Sequence, residues 1–499
     1  MKSRYNIITA IFGLIFLAIP MRMGFLYLSQ HSFYKTSASQ NKIRGSIYDR
    51  NGHILAATLR TTSIYADPSM IKSDYDPILE QFFPEYPKQI LKGRANKLRF
   101  MWLERHSGRI GEIQALRIPG IYAKPDEKRI YAYRQLFSTL IGFCDYNGEG
   151  KHGVENSLNE VLKSNDVTLS LDMGLQSILY DQLSQAYVDF EGEGASGMIV
   201  DVRSGRILAM VSVPSPQENI DFLANDMRNR NLDPVEVGSV LKLINTTIAI
   251  ESGKYTPDSE VDARGPLKVD KFEINDFFGV NRIISLKESL WRSSNIAHAR
   301  VAWDIGRTMQ QKFFKELGML DKVEWLSGSY ATPIAPKRWT SPTVATLAYG
   351  YGIAITTLHL ARAILAIVTG KRMELSCLQD MSDVKTSPVR VFSKETVNTM
   401  KDLMYYVTSN GYRQTLWLEN CKVGAKTGTA NMSVNGKYIE GQNFVTLATV
   451  FPLDSPELIC IIQMTNPKKH KLKRGRFTVA GNVLSQYMKQ IMRSCLKFI

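Results

Sequence analysis

The sequence predicts an α+β fold: one antiparallel sheet with helices on its faces, standing behind an extended N-terminal module and one transmembrane helix. Three observations predict it. Apolar, strand-like runs stand at both ends of the C-terminal part of the chain, with a helical middle between them. A long apolar run opens the chain. Between the two lies a stretch of mixed texture, with short strands and charged helical pieces.

The composition fits that outline. Of 499 residues, 44% are apolar and 22% charged, the balance of a globular chain and not of a disordered one. The net charge of +15 suits a neighbourhood of anionic lipid or anionic polymer. There is no zinc-ligand spacing, no Walker loop and no RNA-binding aromatic signature, so nucleic acid is set aside as a partner. The five cysteines, Cys144, Cys377, Cys421, Cys460 and Cys495, are scattered, with no Cys-x-x-Cys pair. They predict no disulfide framework and no metal site, and most read as small buried hydrophobes. No cofactor is expected.

Taken in order, Lys2 and Arg4 precede a run in which Arg22 is the only charge between Ile7 and Leu28. At about 1.5 Å per residue the run crosses an apolar layer of about 30 Å. It predicts an anchor over 7–28, with residues 1–6 cytoplasmic because of the leading cations. The run is longer than a typical signal core and no Ala-x-Ala-like site follows it, so an uncleaved anchor is expected rather than a removed signal. No second run of this length appears, and the rest of the chain is expected outside the cytoplasm.

Residues 30–165 read as an extended, non-catalytic pedestal. It opens with "NKIRGSIYDRNGHILAAT", two short strands around Asn51-Gly52, a strong hairpin signal. It closes with "LIGFCDYNGEGKHGVENSLNEVL", glycine-marked loops before a short helix over Val154 to Leu162. Residues 166–499 read as a second domain. "DVTLSL" suggests a strand, Asp172 an N-cap, and the periodicity after it a helix. "ASGMIVDVRSGRILAMVSVPS" is a hairpin. Near the C-terminus, "NFVTLATVFPL" and "ELICIIQMTNP" predict two more antiparallel strands, closed by a helix from about Gly481 to Lys497. The basic stretch "KKHKLKRGR", 468–476, reads as a solvated loop.

Three short motifs could carry chemistry. In "VGSVLKLINTTIAI", Ser239 heads an apolar helix and Lys242 lies one turn on, so the two share a face. A serine is a poor nucleophile until a base takes its proton, and a lysine is that base only when neutral. Burial or a second cation nearby makes it so. The pattern alone is weak: Ser-x-x-Lys occurs six times, beginning at Ser32, Ser39, Ser69, Ser239, Ser382 and Ser494. Next, "SSN" places Ser293, Ser294 and Asn295 at the head of another apolar helix, where a hydroxyl and a carboxamide could relay a proton and hold an amide, or simply cap the helix. Last, "VGAKTGTAN" holds the one Lys-Thr-Gly of the chain: Lys426, Thr427 and Gly428, followed by Thr429. It reads as a strand whose Gly428 lets another backbone come close and whose Lys426 supplies the second cation.

In this order the three motifs resemble the penicillin-recognising serine enzymes. The resemblance implies an antiparallel sheet with helices on its faces, of the penicillin-binding and serine β-lactamase type. It implies that Ser239 is acylated by a D-alanyl-D-alanine stem peptide or a β-lactam, with Lys242 as its proton acceptor. Ser293 and Asn295 would serve proton relay and substrate holding. Lys426, Thr427, Gly428 and Thr429 would receive the substrate carboxylate, and the backbone N–H groups of Ser239 and Thr429 would form the oxyanion hole. Further stretches are similar to class B penicillin-binding proteins: "RGSIYDRNGHILA" and "AYGYGIAITTLHLARA". The segments from "KTGTANMSVNGKY" to "MTNP" and "LIGFCDYNGEGKHGVENSLNEVL" are most like the division-specific member. Val237, Leu241 and Thr357 depart from the family pattern, which has a proline or methionine, an aromatic and a proline there.

The resemblance thus implies a peptidoglycan D,D-transpeptidase of septal wall synthesis, held in the inner membrane with its catalytic domain outside the cytoplasm. Expected partners are stem peptides, β-lactams, membrane lipid, a glycosyltransferase of the SEDS type and other division proteins. No residue stands out to activate water, which favours transfer to an amine over hydrolysis and predicts slow release of β-lactams. The elongation-specific enzyme of the same class is the runner-up. A membrane-anchored β-lactam sensor or β-lactamase fits the long N-terminal module poorly. An inactive division scaffold fits the intact motif set poorly.

Overall fold

The computed structural model describes residues 43–499 apart from 85, 216–226, 381–386, 435–436 and 469–477. The expected anchor over 7–28 lies outside the described residues, as does all of the basic stretch 468–476 except Lys468. No helix among the described residues is long and apolar enough to cross a membrane. Residues Gly45–Ile499 form one compact unit.

The Asn51-Gly52 turn joins β1 (Ile47–Tyr48) to β2 (Ile54–Ala66) in an antiparallel pair. Asp49 shapes that turn. Its side chain is wholly buried and accepts the backbone N–H groups of Asn51 and His53, each at 2.8 Å. The ring Nδ1 of His53 lies 2.9 Å from the same carboxylate. Asp49 also accepts the N–H of Met173 at 3.2 Å, and Asn51 Nδ2 donates to Asp172 at 3.1 Å. Asp172 in turn caps helix α1 (Met173–Phe190), accepting from Gly174 and Leu175. So the polar residues of this hairpin do more than make a turn. They fasten it to the first helix of the domain that follows.

Strand β2 pairs with β3 (Met101–Glu104) and, along its whole central length, with β4 (Ile121–Tyr131). Strand β1 pairs in parallel with β5 (Val167–Thr168). This sheet has its own small core, which includes Ile64, Leu79, Phe83, Ile90 and Ile113.

The second sheet is built from β6 (Gly194–Asp201), β7 (Ile207–Val213), β8 (Gly424–Val434), β9 (Lys437–Phe451) and β10 (Leu458–Thr465). Its order is β8-β9-β10-β6-β7, antiparallel throughout. The C-terminal strands therefore close onto the N-terminal hairpin, with Ile461 opposite Met198. Burial on both faces explains the near-continuous apolar runs. Ile199, Cys460 and Ile462 face one core, and Met198, Val200, Ile459 and Ile461 face the other, as the two-residue period requires.

The helical middle fills the second of these cores. The elements that matter for the site are α2 (Lys242–Glu251), α3 (Leu286–Arg292), α4 (Asn295–Ile305), α5 (Ser341–Tyr349) and α6 (Thr357–Thr369). Helix α7 (Ala480–Cys495) covers the other face beside α1. Thr357 is the first residue of α6, a position where proline is tolerated because the N–H there has no partner within the helix. The threonine uses its hydroxyl instead, donating to Gln463 Oε1 on β10 at 2.8 Å.

Candidate active site

Ser239 sits in a short 3-10 turn, Gly238–Leu241, that runs directly into α2. It is half-buried, and no described residue hydrogen-bonds its hydroxyl. Its neighbours Val237 and Leu241 belong to the main core, 1% and 0% exposed. The leucine that departs from the family pattern is thus a core side chain.

Two close backbone approaches hold this turn. A Cβ on Gly428 would stand 2.0 Å from the carbonyl oxygen of Val237. One on Gly350, at the end of α5, would stand 1.9 Å from that of Gly238. Both distances are far inside van der Waals contact, so only glycine lets strand β8 and the α5 terminus close on the turn.

Lys242 is fully buried, and its amine is held on the second motif. Nζ donates to Ser293 O at 2.5 Å and to Asn295 Oδ1 at 2.7 Å, and lies 3.1 Å from the hydroxyl of Ser293. The i to i+3 spacing suggests a Ser239–Lys242 contact, but the hydrogen bonds of the lysine run to Ser293 and Asn295.

The second motif divides its labour. Ser294 is the helix cap: its Oγ accepts the N–H of Ala297 at 3.1 Å and donates to Asp276 at 2.7 Å. Asp276 also accepts the N–H of Ile296 at 3.0 Å. Capping by Ser294 leaves Ser293 free, in the left-handed region at φ 59°, ψ 41°, between α3 and α4. That conformation is uncommon for a residue with a side chain and is concentrated at functional sites. Asn295 Nδ2 donates to Asn275 O at 2.9 Å, which turns its oxygen toward Lys242.

The third motif lies on β8, the edge strand of the sheet. Lys426 is 1% exposed, and its Nζ donates to Ser293 Oγ and to Thr427 O, each at 3.1 Å. Thr427 and Thr429 lie on the alternate positions of the strand. The Thr427 hydroxyl bonds to Tyr412, and Thr429 Oγ1 accepts the N–H of Ala480 at 3.1 Å, which leaves its own O–H free to donate. Asn431 N–H points off the sheet edge, to Tyr351 OH at 3.2 Å. Thr429, two residues earlier, presents its N–H off the same edge. Its backbone lies against the turn, because a Cβ on Gly238 would be 2.7 Å from Thr429 O.

The electrostatics follow from burial. Burial first, and then the charge of Lys426, push the Lys242 amine well below its ordinary pKa, with Asp276 opposing. Burial alone lowers Lys426 to about 7. Two buried ammonium groups sharing one hydroxyl would repel, so the site favours at least one neutral amine. A neutral amine keeps a lone pair for a proton.

Sequence reasoning singled out Ser239, Lys242, Ser293, Asn295, Lys426, Thr427, Gly428 and Thr429, and the fold brings all of them around one turn and one strand edge. It did not find Asp276, Asn275 or Tyr412, which hold these residues from outside the motifs. Nor did it find Glu236, which joins the stretch before Ser239 to Gly352 N and Tyr438 OH at 2.7 and 3.1 Å. Only the acidic residue two places before the Gly-Ser pair was a usable signal for the last of these.

Comparison with known proteins identifies two domains in the chain. The penicillin-binding protein transpeptidase domain matches residues 195–489, and the penicillin-binding protein dimerisation domain matches residues 39–168. The chain is 27% identical to the peptidoglycan D,D-transpeptidase FtsI of Buchnera aphidicola subsp. Baizongia pistaciae, over 99% of this chain and 93% of that one. It is 26% identical to the peptidoglycan D,D-transpeptidase FtsI of Escherichia coli K12, over 90% and 83%. A peptidoglycan synthetase from Bifidobacterium adolescentis shares the fold, with TM-score 0.71 at 18% identity over 92% of this chain and 96% of that one.

Proposed function

The chain belongs to the penicillin-binding protein transpeptidases, and from that premise we propose how its residues divide the work of a peptidoglycan D,D-transpeptidase. The reaction is acyl transfer from a D-alanyl-D-alanine stem peptide through a serine ester. Ser239 is the nucleophile. Lys242, in its neutral form, takes the Ser239 proton as Oγ bonds to the penultimate D-alanine carbonyl carbon. The oxyanion is held by the N–H groups of Ser239 and Thr429, a device whose removal typically costs about 10²–10³ in rate. The peptide C–N bond then breaks, and a proton reaches the leaving amine of the terminal D-alanine by way of Ser293. The amine of a second stem peptide attacks the ester, loses its proton, and returns Ser239 to its hydroxyl form. Lys426 and the hydroxyls of Thr427 and Thr429 receive the substrate carboxylate, with Gly428 allowing its approach. A β-lactam enters the same route and stays, because its leaving group remains tethered.

One observation carries this reading: Ser293 Oγ stands 3.1 Å from Lys242 Nζ and 3.1 Å from Lys426 Nζ. It joins two buried lysines beside a serine that no described residue engages. The finer reading is septal wall synthesis, supported by the named division-type relatives. It includes an anchor at 7–28 in the inner membrane, the catalytic domain outside the cytoplasm, and a SEDS-type glycosyltransferase as partner. The apolar run and its leading cations support the anchor.

Labelling with a fluorescent penicillin tests the nucleophile. Wild type should be labelled and Ser239→Ala should not. Persistent labelling of the variant would overturn the assignment. Imaging at mid-cell against the side wall tests the septal role.

A further inference from the structure

Helices α2 and α4 meet at two polar rungs. The first is Lys242 on Asn295. The second lies three residues further along each helix, one turn on. There Asn245 Nδ2 is 3.2 Å from His298 Nδ1 and 3.3 Å from the backbone oxygen of His298. Both residues are buried, at 2% and 0% exposure, on helix faces that are otherwise apolar.

The geometry fixes the state of the ring. A carbonyl oxygen only accepts, so the Asn245 atom facing it is the amide NH₂. That NH₂ also faces Nδ1, which must therefore carry a lone pair. The proton of His298 sits on Nε2. Charging the ring would put a proton on Nδ1 and set two donors against each other. Its surroundings act in the same sense: burial, Lys242 on α2 and Lys426 on β8 all push its pKa well below the ordinary histidine value. Asp276, in the loop that precedes strand Ile283–Ser285, acts on Lys242 in the opposite sense. His298 Nε2 is buried and has no partner among the described residues. An unpaired buried N–H costs stability that an apolar side chain would not, so packing alone does not explain a histidine here.

We propose that His298, gripped by Asn245, is a positioning residue for Lys242. The second rung fixes the register of α2 against α4, and so keeps Lys242 Nζ on Ser293 and Asn295. It does this with a neutral pair, adding no charge beside the two lysines. The proposal rests on the reading of Ser239 and Lys242 as nucleophile and base.

The test is the acylation rate constant of the full chain with a fluorescent penicillin at saturation, measured against pH. His298→Gln keeps an amide oxygen that can accept from Asn245, whereas His298→Leu removes the acceptor. His298→Gln should keep the wild-type rate and profile. His298→Leu should lose about 10²-fold, the effect of displacing a reacting group by about 1 Å. Its acid limb should move to higher pH as Lys242 leaves its buried contacts, while non-covalent affinity is unchanged. Asn245→Ala, which removes the donor from the other side of the rung, should reproduce the rate loss and the limb shift of His298→Leu. The proposal is overturned by a wild-type rate and profile in His298→Leu or Asn245→Ala, or by equal damage in His298→Gln and His298→Leu. If His298→Leu does not fold, Asn245→Ala against His298→Gln decides. Failure of the underlying reading looks different, because Ser239→Ala would then still be labelled.

Discussion

Lys426 Nζ donates to Ser293 Oγ at 3.1 Å, joining the edge strand of the sheet to the junction between two helices. The contact spans 133 residues of sequence. It brings a second buried amine to the hydroxyl that Lys242 already holds, and it lets the charge on β8 lower the pKa of the Lys242 amine.

Acylation should therefore depend on pH with a definite sign. In the proposed mechanism the base works as a neutral amine, and burial, with the charge of Lys426, holds Lys242 well below its ordinary value. As pH falls through the range in which the Lys242 amine gains its proton, the acylation rate should fall with it. Stopped-flow acylation by a β-lactam across this range checks the point. A profile that stays flat from neutral pH down to the acid limit of folding would remove Lys242 as the base.

Stability should run against function at the same place. Lys426 has a folded pKa below its unfolded value of 10.5. The unfolded chain binds the extra proton, so this residue's contribution is fully present above the unfolded pKa and is lost as pH falls toward about 7. Lys426→Met should then raise folding stability at neutral pH by about 1 kcal/mol or more, since one pKa unit corresponds to about 1.4 kcal/mol. Acylation should disappear. Paired urea melts and labelling read both. A less stable methionine variant would show that the buried ammonium is compensated.

Gly428→Ala should damage the site through the backbone. The new Cβ would meet Val237 O at 2.0 Å, so β8 and the nucleophile turn must separate. A shift of about 1 Å at the oxyanion donors costs about 10²-fold in rate. Overpacking should cost about 1–3 kcal/mol. Comparing the acylation rate constant with the thermal midpoint separates the two.

Asp276→Ala tests support from outside the motifs. It removes the acceptor for Ser294 Oγ and for the N–H of Ile296. Loss of a helix cap costs about 0.5–2 kcal/mol. The Ser293 conformation depends on that cap, so the acylation rate should fall while Ser239 remains the labelled residue. Mass spectrometry of the acylated peptide verifies the last point.

Asp49→Ala should loosen the N-terminal hairpin. Burial raises the Asp49 pKa, but hydrogen bonds from His53, Asn51 and Met173 more than offset this and hold it below 3.8. Its contribution is present above the unfolded pKa and is lost as pH falls through the lower folded one. The substitution should cost about 1.5–3 kcal/mol at neutral pH, the range for hydrogen bonds to a charged group. The difference from wild type should shrink in acid. Urea midpoints at both pH values decide it.

Much of the sheet was legible because its strands announce themselves. The hairpin of β6 and β7, and the strands β9 and β10, are long apolar runs broken by turn residues, and their period is local. Asp172 as a cap was legible for the same reason. The middle was harder. Ser293 and Ser294 look alike in sequence, and only the position of Asp276 decides which one caps α4 and which one turns to the lysines.

By itself, the sequence singled out the candidate reactive groups: a serine, two lysines, a second serine and an asparagine, in three motifs whose order is more specific than any one of them. It determined the helices and strands that carry them, because those depend on neighbours a few residues away. The tertiary structure decided what each group is. Burial and the charge of Lys426 hold the Lys242 amine well below its ordinary pKa, and that amine meets Ser293 and Asn295 because α4 packs against α2. Protonation depends on burial and on charges distant in sequence, and neither is encoded in the spacing of a motif.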